Sequence, residues 1–373
     1  MGLGGDLTGD LEQLLVSRAL NRKALFRMTG ATSQCWRAEV DLERMYDGMH
    51  CRLLPSATVG LTLILEVLDL PAGHEVLIPP FGWLSNWSCI RRAGLVPRFL
   101  PLDRELQIRP EAVTERITER TGAVIVTHLM GRGQQDVAAI ARVCAERGIP
   151  MLEDIAQSFG VSVAGQRTGT FGDAAWCSLN HHKILSTGDG GFVLVRDDAR
   201  FTKITARHDQ GCIVRNGTRR PAEHLEPGLS LRATDLTAAV LRAQMARFNL
   251  LRSKVLDRQR AVAKAIECTM GLKVIRPHDG DVPFTVLFER PPHMRYPSLR
   301  ESGWHVAPNV PWIADEQWHR GDKDVQATLE ILGATAAAGA GFIDPYYAIA
   351  NGVGLTDGPQ ELTAFVEAME KTL

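Results

Sequence analysis

The pattern of apolar and polar positions changes character along the chain. Through residues 1 to about 50 the two kinds are mixed at helical spacing, ending in WRAEVDLERMYDGM, and the tract reads as an arm or a covering helix. Pro55-Ser56-Ala57-Thr58 then precedes an apolar-periodic segment that stops at Pro71-Ala72-Gly73. Small hydroxyl residues ahead of such a segment are helix-start signals. Beyond it, short apolar or β-branched runs predict strands at 75–78, 96–102, 123–127, 150–154, 174–179 and 192–195. Amphipathic tracts between them predict helices at 85–92, 110–119 and 136–147.

Alternation of this length implies a doubly wound α/β domain with a mostly parallel sheet. Ligands of such sheets gather at the carboxyl ends of the strands, where Asp154, His128 and the residues after Leu179 fall. Beyond Phe201 the pattern turns helical, with a long segment from about Thr234 to Cys268 that is rich in Ala, Leu, Arg and Gln. KVIRP and FTVLFER further on are strand-like, whereas the small-residue run GATAAAGAGF is too short and Gly-rich to assign.

Composition narrows the class. A chain of 373 residues, 45% hydrophobic, suits a globular protein of two domains. A formal net charge of -1 with dispersed basic residues leaves no footprint for nucleic acid. The seven cysteines (35, 51, 89, 144, 177, 212 and 268) form no C-x-x-C pair and read as buried free thiols of a reducing cytoplasm. Acids in MGLGGDLTGDLEQ speak against a signal peptide, and Asp6 against myristoylation. The most hydrophobic helix candidate, LTLILEVLDL, is short and contains Glu66 and Asp69, so no membrane span is expected.

The chemistry concentrates between Pro150 and Val195. A lysine, Lys183, precedes a Thr-Gly-Asp-Gly-Gly turn and could be a surface residue or a Schiff-base amine. Asp154 ends the apolar strand of PMLEDIAQ, where a buried carboxylate could keep a pyridoxal phosphate ring nitrogen protonated. A helix cap or a solvated acid would fit the adjacent Glu153 equally. Ser56-Ala57-Thr58 forms a loop-to-helix entry of the kind that binds phosphate, and Ser178 offers a hydroxyl five residues before the lysine. Phe81 and Trp83 in PPFGW could stack on a ring, although loop tryptophans often serve as core plugs.

Taken together, the order of these parts over roughly residues 35 to 265 resembles the DegT/StrS-type aminotransferases, fold-type-I pyridoxal phosphate enzymes that aminate keto-sugars and keto-cyclitols. LEDIAQSFG is similar to the family's strand with the ring-nitrogen aspartate. The resemblance thus implies Asp154 on the nitrogen and Gln157 on the ring hydroxyl. GQRTGTFGDAAWCSLNHHK resembles the approach to the lysine, implying Lys183 as the residue that bonds the cofactor and moves the proton, with Ser178 on the phosphate. PSATVGL resembles the phosphate loop, giving Ala57 and Thr58 as phosphate binders, and HEVLIPPFGW places the stacking aromatic on Trp83. THLMG and GLSLRATDLTAAVLRAQ match further family segments.

This implies an α/β fold with a three-layer large domain at 1–245, carrying the N-terminal arm, and a smaller C-terminal α/β domain at 246–373. It also implies a cytoplasmic homodimer with shared active sites, taking an amino-acid donor (glutamate or glutamine) and a small keto-substrate. Departures stand at Ala57, Phe159, Asp189 and Ser230, for which the family usually has Gly, His, Glu and Asn. Asn180-His181-His182 replaces the familiar Tyr-Pro-Thr, which makes His181 and His182 candidate substrate contacts or a solvated pair. Elimination or carbon-carbon chemistry on the same cofactor, and an inert regulatory homologue, are the alternative functions.

Overall fold

The computed structural model describes residues 8–23, 25–27, 32–103, 105–215, 218–222, 226–289 and 340–343. Two helices, Asp10–Asn21 (α1) and Gln34–Met45 (α2), precede the sheet. Ser33 caps α2, its hydroxyl accepting the Trp36 N–H at 3.3 Å and donating to Asp235 at 2.8 Å, which ties this arm to a helix two hundred residues on. The first strand, His50–Leu54 (β1), was not expected from the sequence, because Arg52 interrupts its apolar run. The buried Arg52 is tolerated because Glu39 of α2 accepts from its Nη1 at 3.2 Å and Thr205 accepts from its Nη2 at 3.2 Å.

From there the expected alternation holds: Ala57–Leu68 (α3), Glu75–Ile78 (β2), Ser85–Arg92 (α4), Val96–Phe99 (β3), Pro110–Arg116 (α5), Thr121–Thr127 (β4), Val137–Glu146 (α6) and Met151–Asp154 (β5). A two-residue hairpin follows, Ser162–Val163 (β6) with Gln166–Arg167 (β7), and then Ala174–Ser178 (β8) and Gly191–Val195 (β9). β3 and α5 are shorter than the sequence suggests. Ile117, for example, turns extended at φ -67, ψ 129 and closes α5.

After the helix Asp198–His208 (α7) the expected run of helix is broken by a hairpin, Cys212–Arg215 (β10) with Thr218–Pro221 (β11). The segment expected as one long helix is two, Asp235–Ala246 (α8) and Phe248–Met270 (α9). The chain leaves helical geometry at Arg247, φ -106 and ψ 8, whose guanidinium pairs with Glu12 of α1. Val274–Ile275 (β12), Val286–Glu289 (β13) and Ala340–Ile343 (β14) form a small antiparallel sheet. The expected C-terminal domain at 246–373 otherwise lies largely outside the described residues.

The main sheet has seven strands in the order β1-β9-β8-β5-β4-β2-β3. The pairs from β3 through β8 are parallel, while β9 runs antiparallel to both β8 and β1. Side chains alternate between its faces. Val76, Ile78, Leu152, Trp176 and Val193 pack on one face against Leu61 and Ile64 of α3. Leu77, Val124, Val126 and Met151 face the other way, against Val113 of α5 and Ile140 of α6. Cys177, Phe192 and Leu194 meet α2, α8 and α9 on that second face. The result is a three-layer α/β architecture in which β4, β5 and β8 end side by side.

Candidate active site

The parity of β5 and β8 decides what reaches the site. Leu152 and Trp176 face α3, so Asp154 and Ser178, two residues on, face the same way. Asp154 is buried, and its Oδ2 accepts from Nδ2 of Asn86 in α4 at 2.9 Å while its Oδ1 accepts from the Ala156 N–H at 3.0 Å. Burial pushes its carboxyl up from the ordinary range, against the pull of Asn86, Ala156 and the charge of Lys183. The same burial pushes the Lys183 amine down, with Asp154 opposing. Burial thus disfavours the charged form of both groups, and each partner's charge opposes that shift in the other.

Ser178 sits in register with Gly191 at the edge of β9. A Cβ on Gly191 would stand 2.4 Å from the Ala57 nitrogen, so α3 begins in contact with this strand. Ser56 is the N-cap, its hydroxyl accepting from the Val59 N–H at 3.2 Å, and the N–H groups of Ala57 and Thr58 belong to the turn whose donors have no intrahelical partner. Ala57, Thr58 and Ser178 are thereby brought to one corner, where first-turn N–H groups and a hydroxyl are offered together.

Gln157 spans from the loop after β5 to the end of β4. Its Oε1 accepts the Met130 N–H at 2.9 Å, and its carbonyl accepts the Gly131 N–H at 2.8 Å. Together with Phe159, Ser178, Lys183, Leu185 and Phe284 it lines a pocket with about 270 Å³ of atom-free space. Trp83 stands in the loop ahead of α4, 69% exposed, and its carbonyl accepts the Asn86 N–H at 3.1 Å. Phe81 is half-buried and packs against the core cluster that holds Leu77, Val113 and Ile140.

His181 and His182 are both exposed, their rings edge-on at 5.4 Å. They belong to a turn built on Asn180, whose carbonyl accepts the Lys183 N–H at 2.9 Å and whose side-chain oxygen accepts the His182 N–H at 3.3 Å.

Two expectations change. His128, placed at a strand end with the ligand-gathering residues, is fully buried on the opposite face. There its Nδ1 accepts the Gln134 N–H at 3.0 Å, which leaves the proton on Nε2 to donate to Glu153 at 3.0 Å. Glu153 itself is neither a helix cap nor solvated: it accepts the N–H groups of Gly169, Phe171 and Gly172 at 2.7 Å each. Phe159 is likewise a core residue, edge-on to Phe248 at 5.0 Å. Of the seven thiols, five are buried, while Cys212 is half-buried and Cys268 exposed.

Sequence reasoning missed Asn86, which no local pattern distinguishes from any residue in a first helical turn. It also missed Thr127, whose buried hydroxyl, like Asn86 Oδ1, has no partner among the described atoms beside Asp154. The described residues contain no cluster of three metal-ligating side chains and no helix long and apolar enough to cross a membrane.

A three-layer α/β fold with a half-buried lysine and a buried carboxylate at the carboxyl end of its sheet defines a lysine-centred cofactor-binding protein. The DegT/DnrJ/EryC1/StrS aminotransferase family matches residues 12–287, and the chain belongs to that family. It is 32% identical over 244 residues to an L-glutamine:2-deoxy-scyllo-inosose aminotransferase of Streptomyces fradiae, covering 62% of this chain and 55% of the relative. It is 30% identical to a 3-amino-5-hydroxybenzoate synthase of Amycolatopsis mediterranei, over 74% of this chain and 68% of the relative. The alignments to the curated relatives span between 35% and 68% of their length. In fold the chain is similar to the aminotransferase TlmJ from Streptoalloteichus hindustanus, with a TM-score of 0.81 at 22% identity over 98% of this chain and 96% of that one.

Proposed function

We propose that this chain is a pyridoxal phosphate-dependent aminotransferase that moves an amino group from glutamine or glutamate to the carbonyl of a keto-cyclitol or keto-sugar. The observation that carries the reading is the pocket that Lys183 lines together with Ala156, Gln157 and Ser178, Ala156 being the residue whose N–H holds the buried Asp154 carboxylate. Bound there, pyridoxal phosphate supplies an aldehyde for the amine and a ring that stores electrons while its nitrogen is protonated.

The chain's own residues fit that group. Each Asp154 oxygen takes one protein donor, leaving lone-pair capacity for a ring N–H. The first turn of α3, with Ala57 and Thr58, and the Ser178 hydroxyl suit a phosphate. Gln157 is held at the site by Met130 and Gly131, where its amide can meet a ring hydroxyl. Trp83 offers an exposed aromatic face. Burial favours the uncharged Lys183 amine, which suits a nucleophile and then a base that takes a proton from carbon onto Nζ and, as acid, delivers it to carbon again. His181 and His182, exposed on the turn that leads to Lys183, are the substrate contacts this reading assigns.

The reading includes a cytoplasmic homodimer. The test is the visible spectrum of protein incubated with pyridoxal phosphate, followed by addition of each amino acid in turn. Amination of the bound cofactor by glutamine or glutamate, absent in Lys183→Ala, is expected. If no amino acid aminates it, transamination is the wrong reaction for this site.

A further inference from the structure

Asn86 reaches Asp154 from another layer of the fold. It lies in the first turn of α4, 5% exposed and 68 residues from Asp154 in sequence, and donates from Nδ2 to Oδ2 at 2.9 Å. The orientation of the amide is unambiguous while the carboxylate is ionised, because a carboxylate only accepts. Ala156 N–H fixes the other oxygen, so the two donors together set the plane of the carboxylate. Asn86 Oδ1 has no partner among the described atoms, and neither has the neighbouring Thr127 hydroxyl. The amide is therefore spent on Asp154 and on no other described group. A Cβ on Gly82 would lie 3.9 Å from Asn86 Nδ2 and 3.8 Å from Thr127 Cγ2, so the backbone of the PPFGW loop passes close over this pair.

We propose that Asn86 is a positioning residue for Asp154, holding its carboxylate ionised and aimed so that the remaining lone pairs meet a protonated ring nitrogen. The proposal rests on the pyridoxal phosphate reading for the identity of the ring, but its first test does not. The charged or titratable neighbours coupled to Asp154 are Lys183, His128 and Cys177, and all three are left intact by substitutions at Asn86.

In the unloaded protein, the side-chain carbon resonance of Asp154, assigned by its loss in Asp154→Asn, is titrated by NMR in wild type and in Asn86→Leu. Removal of a donor to the charged form is expected to raise the midpoint by about one pH unit. Should Asn86→Leu fail to fold, Asn86→Ser, which keeps a shorter donor, is expected to show about half that rise. A midpoint equal to wild type in the folded variant overturns the proposal.

In the loaded protein a double-mutant cycle separates positioning from packing. Asn86→Leu is expected to weaken pyridoxal phosphate binding about tenfold in the wild-type background and to have no further effect in Asp154→Asn. An equal loss in both backgrounds makes Asn86 a packing residue and overturns the proposal. If wild type takes up no pyridoxal phosphate, the function reading fails while the NMR titration still decides the role of Asn86.

Discussion

Gly191 supports the backbone of Ala57. A Cβ at position 191 would stand 2.4 Å from the Ala57 nitrogen and 2.8 Å from the Cys177 carbonyl oxygen, and neither neighbour is a side chain that can rotate away. Gly191→Ala must therefore lift the first turn of α3 off β9, and with it the corner shared with Ser178. We expect a loss of about 1–3 kcal/mol, the usual range for an overpacked core. We also expect pyridoxal phosphate affinity to fall at least tenfold, since helix donors act at hydrogen-bond range. Thermal melts and cofactor titration of the purified variant measure the two effects.

What was legible in the sequence follows the same geometry. β2 and α4 match the pattern to the residue because Gly and Pro punctuate an unambiguous period on either side of them. β1 was hidden by Arg52, whose burial depends on Glu39 thirteen residues earlier, and β11 by TRRP, which has no apolar alternation at all. Lys183 and Asp154 could be singled out because one precedes a glycine turn and the other ends a strand. His128 directly follows a strand, but its side chain points to the far face. Local spacing does not say which face a terminal residue takes, nor that Asn86 will meet an aspartate 68 residues away.

The proton affinity of Lys183 gives a pH-dependent readout. Burial lowers it below an ordinary lysine and Asp154 raises it, so the free amine is present at lower pH than on a surface lysine. The rate at which borohydride traps pyridoxal phosphate on the protein should therefore reach half its maximum below pH ~10.4, the ordinary lysine value. Asp154→Asn removes the opposing charge, and the midpoint is expected to move lower still. A midpoint that rises in Asp154→Asn would contradict the coupling.

Glu153 holds the loop from Gly169 to Gly172 by three backbone donors and receives His128 as a fourth. Glu153→Gln replaces an acceptor-only group with one that turns an NH₂ toward these donors. The buried groups left without acceptors should cost about 3 kcal/mol. At roughly 2 °C per kcal/mol for a chain of this size, calorimetry should register a fall of about 6 °C in Tm. Because Glu153 faces away from Asp154, cofactor affinity in the folded fraction is expected to change less than threefold.

Trp83 separates the stacking role from the core plug that loop tryptophans often provide. At 69% exposed it contributes little to the core, so Trp83→Ala should change the stability of the unloaded protein by no more than ~0.5 kcal/mol. If the indole stacks on the cofactor ring, its loss removes about 0.5–1.5 kcal/mol of aromatic contact, equivalent to roughly a two- to twelvefold rise in the dissociation constant. Trp83→Phe, which keeps a ring, should recover most of that loss. Indole fluorescence offers an independent reading, since binding should quench wild type more than Trp83→Phe, even though six other tryptophans remain in the chain. A variant that melts well below wild type before any cofactor is added would instead make Trp83 part of the fold, and the stacking residue would have to be sought elsewhere in the loop ahead of α4.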